Sequence, residues 1–254
     1  MWQYFWKFQT DIPAENYVIT FGSVHLTWVA VSLLFIFILA YIYKKSSIGI
    51  RRRIEISIAL ILAFSYILRW IWVIAIGRFS AIDMLPLHLC ALSAGMNIIA
   101  VFSRKPLFKE FGYALGLPGG LVTFLMPGEP YPFFHFYYLL FVSSHFILIL
   151  LPIIWVWGDG FRPHTGRLWK CAIILLVMAG VDVIINILIG SNYMFLNYAP
   201  PDTPLTAAAK WAGNPGYQFY MALIVLGTWI LLYSPWIILQ WKRRKPALLL
   251  KSPD

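Results

Sequence analysis

The stretch 133–157 decides the fold of this chain. Its sequence is FFHFYYLLFVSSHFILILLPIIWVW, which contains no Asp, Glu, Lys or Arg. As an α-helix, about 20 consecutive apolar residues cross the hydrocarbon core of a bilayer. Six other runs are similarly apolar and of similar length: 21–43, 54–76, 84–102, 107–126, 168–189 and 217–241. The sequence therefore predicts an all-α, polytopic membrane bundle with seven transmembrane helices.

The composition of the whole chain agrees with this fold class. Hydrophobic residues make up 61% of the 254 residues and charged residues 12%, whereas a soluble domain has about a quarter charged residues. This composition excludes a soluble enzyme, a disordered protein and a disulfide scaffold. No second domain is evident, so we expect residues 1–254 to form a single transmembrane domain.

The basic residues predict the orientation of the bundle. If all seven runs cross the membrane, 16 of the 20 Lys and Arg residues lie on one side, within 44–53, 104–109, 162–170 and 242–251. Cytoplasmic loops carry the excess of Lys and Arg, so we expect the N-terminus outside and residues 242–254 as a basic cytoplasmic tail. The net charge of +10 is then a topology signal facing anionic lipid, and we expect no nucleic-acid partner.

Three segments depart from simple apolar runs. The first 20 residues begin with five aromatic residues within 2–8, beside Lys7, and predict an interfacial segment at headgroup depth. The segment 190–216 contains four prolines and predicts a turn-rich outer loop. Within the fourth run, the spacing of Gly112, Gly116 and Gly120 predicts close helix packing, and Pro118 with Gly119 predicts a break in the helix.

Ionisable residues inside the membrane mark functional sites by default, because they are costly to bury there. The predicted spans contain His25, Arg69, His88, His145 and Asp182. Weaker polarity comes from Cys90, Asn97 and Asn186. The predicted topology places nearly all of them in the outer half of the membrane or at mid-depth. We therefore expect a polar pocket that opens to the outer leaflet.

Cys90, His145 and Asp182 supply the residue types of a nucleophile, its base and the group that orients the base. His88 is an alternative base, and Arg69 with Asn186 suits an anionic headgroup or an oxyanion. Each residue also has a structural interpretation. A buried thiol packs as a small hydrophobe, and Arg69 with Asp182 suits an ion pair between two spans. A metal site of His25, His88, Cys90 and His145 is the weaker alternative, and we expect neither metal nor cofactor.

Two short motifs resemble a known family. Leu85-Pro86-Leu87-His88-Leu89-Cys90, and Asn192-Tyr193 with Leu196, are similar to the motifs of the YwaF-like family of bacterial integral membrane proteins. The segment 213–217 departs from that family, which has Trp- and Pro-rich sequence before the last span.

The family resemblance implies seven spans and a place in the bacterial cell membrane. Distant eukaryotic relatives are described as phospholipid acyltransferases that use a cysteine of the third-span motif. The resemblance therefore implies that Cys90 takes an acyl group from a phospholipid as a thioester and passes it to a lysophospholipid. Membrane lipids would be the partners, with substrate-binding residues Arg69, Asn97, Asn186, Asn192 and Tyr193.

Two other functions remain open at this point. A carrier or receptor for a small anionic or zwitterionic solute would use Arg69 and Asp182 as its binding pair, with Cys90 incidental. A non-enzymatic membrane assembly protein would use none of these residues for chemistry.

Overall fold

The computed structural model describes residues 2–201 and 203–249, with side chains as far as residue 241. The part of the chain so described contains α-helices and short helical turns and no β-strand, which confirms the all-α class. Two compact units form, Met1–Phe161 and Arg162–Asp254. Of the expected basic tail, residues 242–249 continue the last helix, while residues 250–254 lie outside the described chain.

Five helices are long and apolar enough to cross a membrane. They are Ser23–Lys45, Ile48–Ala75, Phe136–Gly158, Thr165–Ile189 and Pro204–Trp241. A sixth apolar helix, Leu89–Ser103, is shorter. Apolar side chains cover much of the outer surface of these helices, as expected where lipid rather than water surrounds the protein.

The first unit contains six α-helices. They are α1 (Ser23–Lys45), α2 (Ile48–Ala75), α3 (Leu89–Ser103), α4 (Pro106–Phe111), α5 (Leu117–Leu125) and α6 (Phe136–Ile153). The π-helical turn Gly112–Gly116 joins α4 to α5, and a second π-helical turn, Ile154–Gly158, extends α6. The buried core includes Tyr138, Leu148 and Trp155, each with no exposed surface.

The third helix starts later than the expected residue 84. Pro86 lies before it, and a proline disfavours helical geometry at the preceding residue. The chain stays irregular until His88, which has an extended backbone (φ −65°, ψ 149°). Cys90 is therefore in the first turn of α3, while His88 stands just outside it. In a regular helix, residues two apart point to nearly opposite faces. Because His88 lies outside the helix, this rule does not separate the His88 and Cys90 side chains.

The expected break at Pro118 and Gly119 is replaced by the π-helical turn Gly112–Gly116. The helix runs on without interruption through 106–125, because the wider turn shifts the hydrogen-bond register by one residue. Close packing along the glycine stripe is confirmed. A Cβ atom at Gly112 would lie 2.1 Å from Asn97 Oδ1, and one at Gly120 would lie 2.9 Å from Ile149 Cγ1.

The N-terminal segment forms three short 3-10 turns that pack on the first unit. The Trp72 indole donates a hydrogen bond to the Trp6 carbonyl oxygen over 3.2 Å. The ring Nε2 of His135 donates one to the Lys7 carbonyl oxygen over 2.8 Å. Trp2 and Trp6 remain mostly exposed, which suits side chains at headgroup depth.

The second unit contains α7 (Leu168–Ile189) and α8 (Pro204–Leu249). The helical geometry of α8 is interrupted at Gly213 (φ 68°) and Asn214 (φ −106°). Proline suits the first turn of a helix, where its missing N–H costs nothing, and Pro204 begins α8 in this way. The expected loop 190–216 is therefore helical from Pro204, apart from the interruption at Gly213 and Asn214, and its described residues before Pro204 include the 3-10 turn Tyr193–Phe195.

Candidate functional site

Arg69 is the centre of a polar cluster inside the first unit. It lies on α2, and its guanidinium carbon is 4.9 Å from the centre of the Tyr137 ring on α6. The Tyr137 hydroxyl donates a 3.0 Å hydrogen bond to the Glu129 carboxylate. One guanidinium nitrogen also lies 3.7 Å from the Met84 sulfur. Arg69 thus lies against the face of a ring whose hydroxyl is bonded to the Glu129 carboxylate.

Glu129 belongs to the segment between α5 and α6, outside the long helices. Burial raises the pKa of its carboxyl above the usual value, while the Arg69 charge and the Tyr137 hydrogen bond lower the pKa in part. Tyr131 lies in the same segment, and burial likewise raises the pKa of its hydroxyl. Desolvation therefore dominates the electrostatics of this segment.

Both candidate histidines lie within electrostatic range of Arg69. His88 precedes α3 and His145 lies on α6, and each interacts with the Arg69 charge. Tyr66 lies one helical turn before Arg69 on the same side of α2, and α2 packs against both α3 and α6. The structure therefore brings residues of α2, α3 and α6 together around Arg69.

The Cys90 thiol has one hydrogen-bond partner in the described chain. This is the Thr123 hydroxyl on α5, 3.9 Å from the sulfur. A Cβ atom added at Gly119 would also lie 3.9 Å from the sulfur, so glycine leaves room beside the thiol. Within the residues described, no hydrogen bond joins Cys90 to His88 or His145. The role of either histidine as the base stays a prediction.

His145 is oriented by its own helix. Its Nδ1 lies 2.7 Å from the Phe141 carbonyl oxygen and 3.5 Å from the Ser144 hydroxyl. A carbonyl oxygen only accepts hydrogen bonds, so Nδ1 is the donor, and Nε2 of a neutral ring is left as an acceptor. Ser143 and Ser144 donate to carbonyl oxygens one turn back, as serine hydroxyls inside helices do.

Asn97 lies two turns beyond Cys90 on α3 and is fully buried. Its amide oxygen and nitrogen have no hydrogen-bond partner among the described residues, and neither has the hydroxyl of Ser93. Both side chains face the glycine stripe at Gly112 and Gly116. A buried polar group without a partner is costly, so this position suits an ordered water or a polar ligand atom.

The predicted residues of the second unit build a loop. The Asn186 side chain accepts a 2.7 Å hydrogen bond from the Tyr193 backbone N–H and donates a 3.0 Å one to the Tyr193 carbonyl oxygen. Asn192 similarly accepts hydrogen bonds from the backbone of Asn197 and Tyr198. The Asn192-Tyr193 motif thus fixes the chain that follows α7. Their substrate-binding roles stay predictions.

Asp182 and Asn186 share one face of α7, as their spacing predicts, and both are buried. Neither oxygen of the Asp182 carboxylate has a hydrogen-bond partner among the described residues. A carboxylate buried in this way is costly unless it finds a partner or takes up a proton. Its role as the orienting group of the catalytic set stays a prediction.

The sequence model of the TMEM164 family matches residues 20–233. The chain belongs to the TMEM164 family. The match includes both units and both short motifs, and with the five long helices it identifies a multi-pass membrane protein. A search of curated proteins finds no match, and a search of solved structures finds none either. The resemblance to the YwaF-like family and to acyltransferases stays a prediction.

Sequence reasoning missed several residues of the Arg69 cluster in this TMEM164-family protein: Tyr66, Thr123, Glu129 and Tyr137. Only Tyr66 carries a usable sequence signal, because it lies three residues before Arg69 and so shares its helix face. The other three come from distant parts of the chain, and their approach to the cluster depends on how α5 and α6 pack. Helical spacing holds no information on such contacts.

A second polar network, at the basic end of the first unit, was also missed. The Lys109 ammonium lies 3.3 Å from an Asp159 carboxylate oxygen and 3.9 Å from one of Glu55. The buried Trp155 indole donates a 2.7 Å hydrogen bond to Glu55, and the Tyr43 hydroxyl donates one of the same length to Asp159. This network joins the ends of α1, α2, α4 and α6, which indicates a structural role.

Proposed function

We propose that this TMEM164-family protein transfers or hydrolyses phospholipid acyl groups through a thioester on Cys90. The observation that carries the proposal is the cluster around Arg69. Arg69 lies on α2, which packs against α3, the helix of Cys90, and against α6, the helix of His145, and its guanidinium lies over the Tyr137 ring of α6. A nucleophile, two candidate bases and a cation for a phosphate or an oxyanion are the parts that this reaction requires.

The proposed chemistry has two half-reactions. The Cys90 sulfur attacks an ester carbonyl of the phospholipid, so a C–S bond forms and the C–O ester bond breaks. The thiol proton passes through the base to the departing lysophospholipid oxygen. A hydroxyl of a second lysophospholipid then attacks the thioester, so a new C–O ester bond forms, the C–S bond breaks, and the hydroxyl proton passes through the base to the departing Cys90 thiolate. Water in place of that hydroxyl releases a fatty acid.

The local contacts suggest how the groups divide these tasks. The Thr123 hydroxyl bonds the Cys90 thiol and orients it. The Phe141 carbonyl oxygen fixes the His145 ring so that Nε2 is left to accept a proton. Hydrogen bonds of catalytic groups often tighten only with substrate present, so the substrate would draw the thiol and this ring together. Arg69 then balances the negative charge of the phosphate or oxyanion.

The same proposal includes the full topology and the membrane. Seven spans follow if α3 and the continuous helix 106–125 each cross the bilayer beside the five long helices, because 106–125 is about 30 Å long. The charge asymmetry favours an external N-terminus and a cytoplasmic C-terminus in the cell membrane. Phospholipids and lysophospholipids of that membrane would be the substrates.

The test is acyl transfer by the purified protein in lipid nanodiscs. The assay supplies a phospholipid with a labelled acyl chain and an unlabelled lysophospholipid. We expect transfer by the wild type, loss of transfer in Cys90→Ala, and retention in Cys171→Ala, which removes the other free thiol. We also expect a hydroxylamine-sensitive acyl adduct on the Cys90 peptide. Equal transfer by Cys90→Ala, or no transfer and no adduct in the wild type, would overturn the proposal.

A second candidate function is binding of a small anionic solute. The observation that favours it is the Nε–H of Arg69, which is buried and has no hydrogen-bond partner among the described residues. Such a donor suits a carboxylate or phosphate ligand. Thermal stabilisation by glycerol phosphate that is lost in Arg69→Gln and kept in Cys90→Ala would support this function. Stabilisation that is equal in wild type and Arg69→Gln would exclude it.

A further inference from the structure

An open groove of about 290 Å³ runs along the first unit, away from the Arg69 cluster. One of its walls is a single face of α2, formed by Ile50, Arg53, Ile54, Ser57 and Ile58. These residues have the three- and four-residue spacing of one helical stripe. The stripe extends about 12 Å along the helix axis. It combines three apolar side chains with one cation and one hydroxyl.

The other surfaces of the groove are apolar. Leu150 and Ile154 form its floor and are each 1% exposed, while Leu39 and Ile42 of α1 stand at its rim and are 38% and 50% exposed. A buried floor between exposed rims forms a furrow that opens sideways between α1 and α2. A flexible hydrocarbon chain fits a furrow of this form, because it can follow the packed floor while its outer side stays against lipid.

The arginine at this groove differs from its two neighbours in the sequence. Arg51 donates hydrogen bonds to the carbonyl oxygens of Ser46 and Gly158. Arg52 bonds to the carbonyl oxygen of Val101 and lies 3.5 Å from a Glu55 carboxylate oxygen. Arg53 is exposed and has no side-chain hydrogen bond or ion pair in the described part of the chain. Its guanidinium is thus available to an external anion.

We propose that this groove binds one anionic phospholipid, with its phosphate at Arg53 and one acyl chain along the furrow. The Ser57 hydroxyl lies one turn from Arg53 on the same helix face and supplies a second polar contact. An acyl chain gains little by moving from bilayer to groove, because both are apolar. The selectivity therefore comes from the headgroup, and the unpaired guanidinium favours a net negative one over a zwitterionic one.

The nearby charges strengthen this preference. Lys44 and Lys45 end α1 close to the start of α2, and they add positive potential at the same end of the groove. Two acidic groups of this end, Glu55 and Asp159, are occupied by Arg51, Arg52 and Lys109, and the third, Glu110, is fully buried. An anionic headgroup at Arg53 therefore meets an excess of positive charge.

The experiment measures bound lipid by native mass spectrometry after delipidation and titration with phosphatidylglycerol or phosphatidylcholine. We expect the wild type to prefer phosphatidylglycerol and Arg53→Gln to bind it about fivefold more weakly. The matched control is Arg104→Gln, which removes another exposed arginine at the same end of the unit without touching the groove. This control should keep the preference.

Two further measurements test whether the acyl chain occupies the furrow. Ile58→Trp fills the furrow and should weaken the binding of both lipids, whereas glycerophosphoglycerol, which has no acyl chains, should not displace the bound lipid. An unchanged preference in Arg53→Gln, or an equal loss in Arg104→Gln, would overturn the proposal. Cys90→Ala should bind the lipid like the wild type, so a failure of the acyl-transfer proposal is distinguishable from a failure here.

Discussion

The guanidinium of Arg69 lies over the Tyr137 ring, 4.9 Å from its centre, and the hydroxyl of the same tyrosine donates to Glu129. Tyr137 therefore contacts a cation through its face and an anion through its edge. Cation–π contacts are strongest where water is absent, and Tyr137 is 4% exposed. This tyrosine couples the segment between α5 and α6 to α2.

Removal of the Tyr137 hydroxyl should uncouple Glu129 from the cluster. In Tyr137→Phe, the ring stays under Arg69 while the carboxylate loses its donor, which should cost about 1–3 kcal/mol. Denaturation of the detergent-solubilised protein measures this loss. The control is a double-mutant cycle with Glu129→Gln. The stability lost by the double variant should be smaller than the sum of the losses of the two single variants by about 0.5–3 kcal/mol. Strict additivity would show that the hydrogen bond contributes nothing.

Glu129 should also make the stability depend on pH. Burial raises the folded-state pKa of Glu129 above its usual value of 4.5, so the folded state holds this proton more tightly than the unfolded state does. The contribution of Glu129 to stability is thus present in full below pH 4.5 and is lost as pH rises through the folded-state pKa.

Glu129→Gln removes this titration and serves as the probe. The difference in Tm between Glu129→Gln and wild type should move in favour of the variant as pH rises from 4.5. Comparison of the two proteins at each pH cancels the titrations that they share. A difference that stays constant between pH 4.5 and 8 would contradict the assignment.

The network at the basic end should be more sensitive to mutation than an exposed ion pair. Lys109→Met removes the cation between Glu55 and Asp159 and should cost about 1–3 kcal/mol, because both carboxylates then lose a partner. Arg78→Gln breaks the ion pair with Asp11, whose two side chains are 48% and 47% exposed, and should cost less than about 1 kcal/mol. Unfolding in detergent compares the two variants, and equal losses would refute the structural role of Lys109.

The helices could be predicted from the sequence, because hydrocarbon thickness sets the length of an apolar run. The run 133–157 is thus found as α6 with its π-helical extension. The start of α3 could not be located, because apolar residues continue through the irregular segment before Leu89. In the same way, apolarity alone did not distinguish the Pro204 end of α8 from a loop.

The candidate site was predictable only in part. The cost of burying charge pointed to Arg69 and to both histidines. The same principle gave no indication of Glu129, which lies outside every apolar run and becomes partly buried only through tertiary packing. The rotation of α5 against α3 likewise decides that Thr123 rather than a histidine contacts the Cys90 thiol, and no spacing within one helix contains that information.

Gly112 lets α3 approach the π-helical turn closely, because it has no side chain. In Gly112→Ala, the new Cβ would clash with Asn97 Oδ1 and lie 3.2 Å from the Trp155 ring, so the buried Asn97 side chain must turn away and the Trp155 ring must shift, at a cost of about 1–3 kcal/mol. Gly95→Ala on α3 is the matched control, because nothing lies within 4 Å of its new Cβ. It should gain up to about 1 kcal/mol in helix propensity. Measured against Asn97→Ala alone, the double variant that combines Gly112→Ala with Asn97→Ala should lose much less stability than Gly112→Ala loses in the wild type, since Asn97→Ala removes the nearest clashing atom. Unfolding of the four variants in detergent checks this order, and a Gly112→Ala protein as stable as Gly95→Ala would refute the close approach.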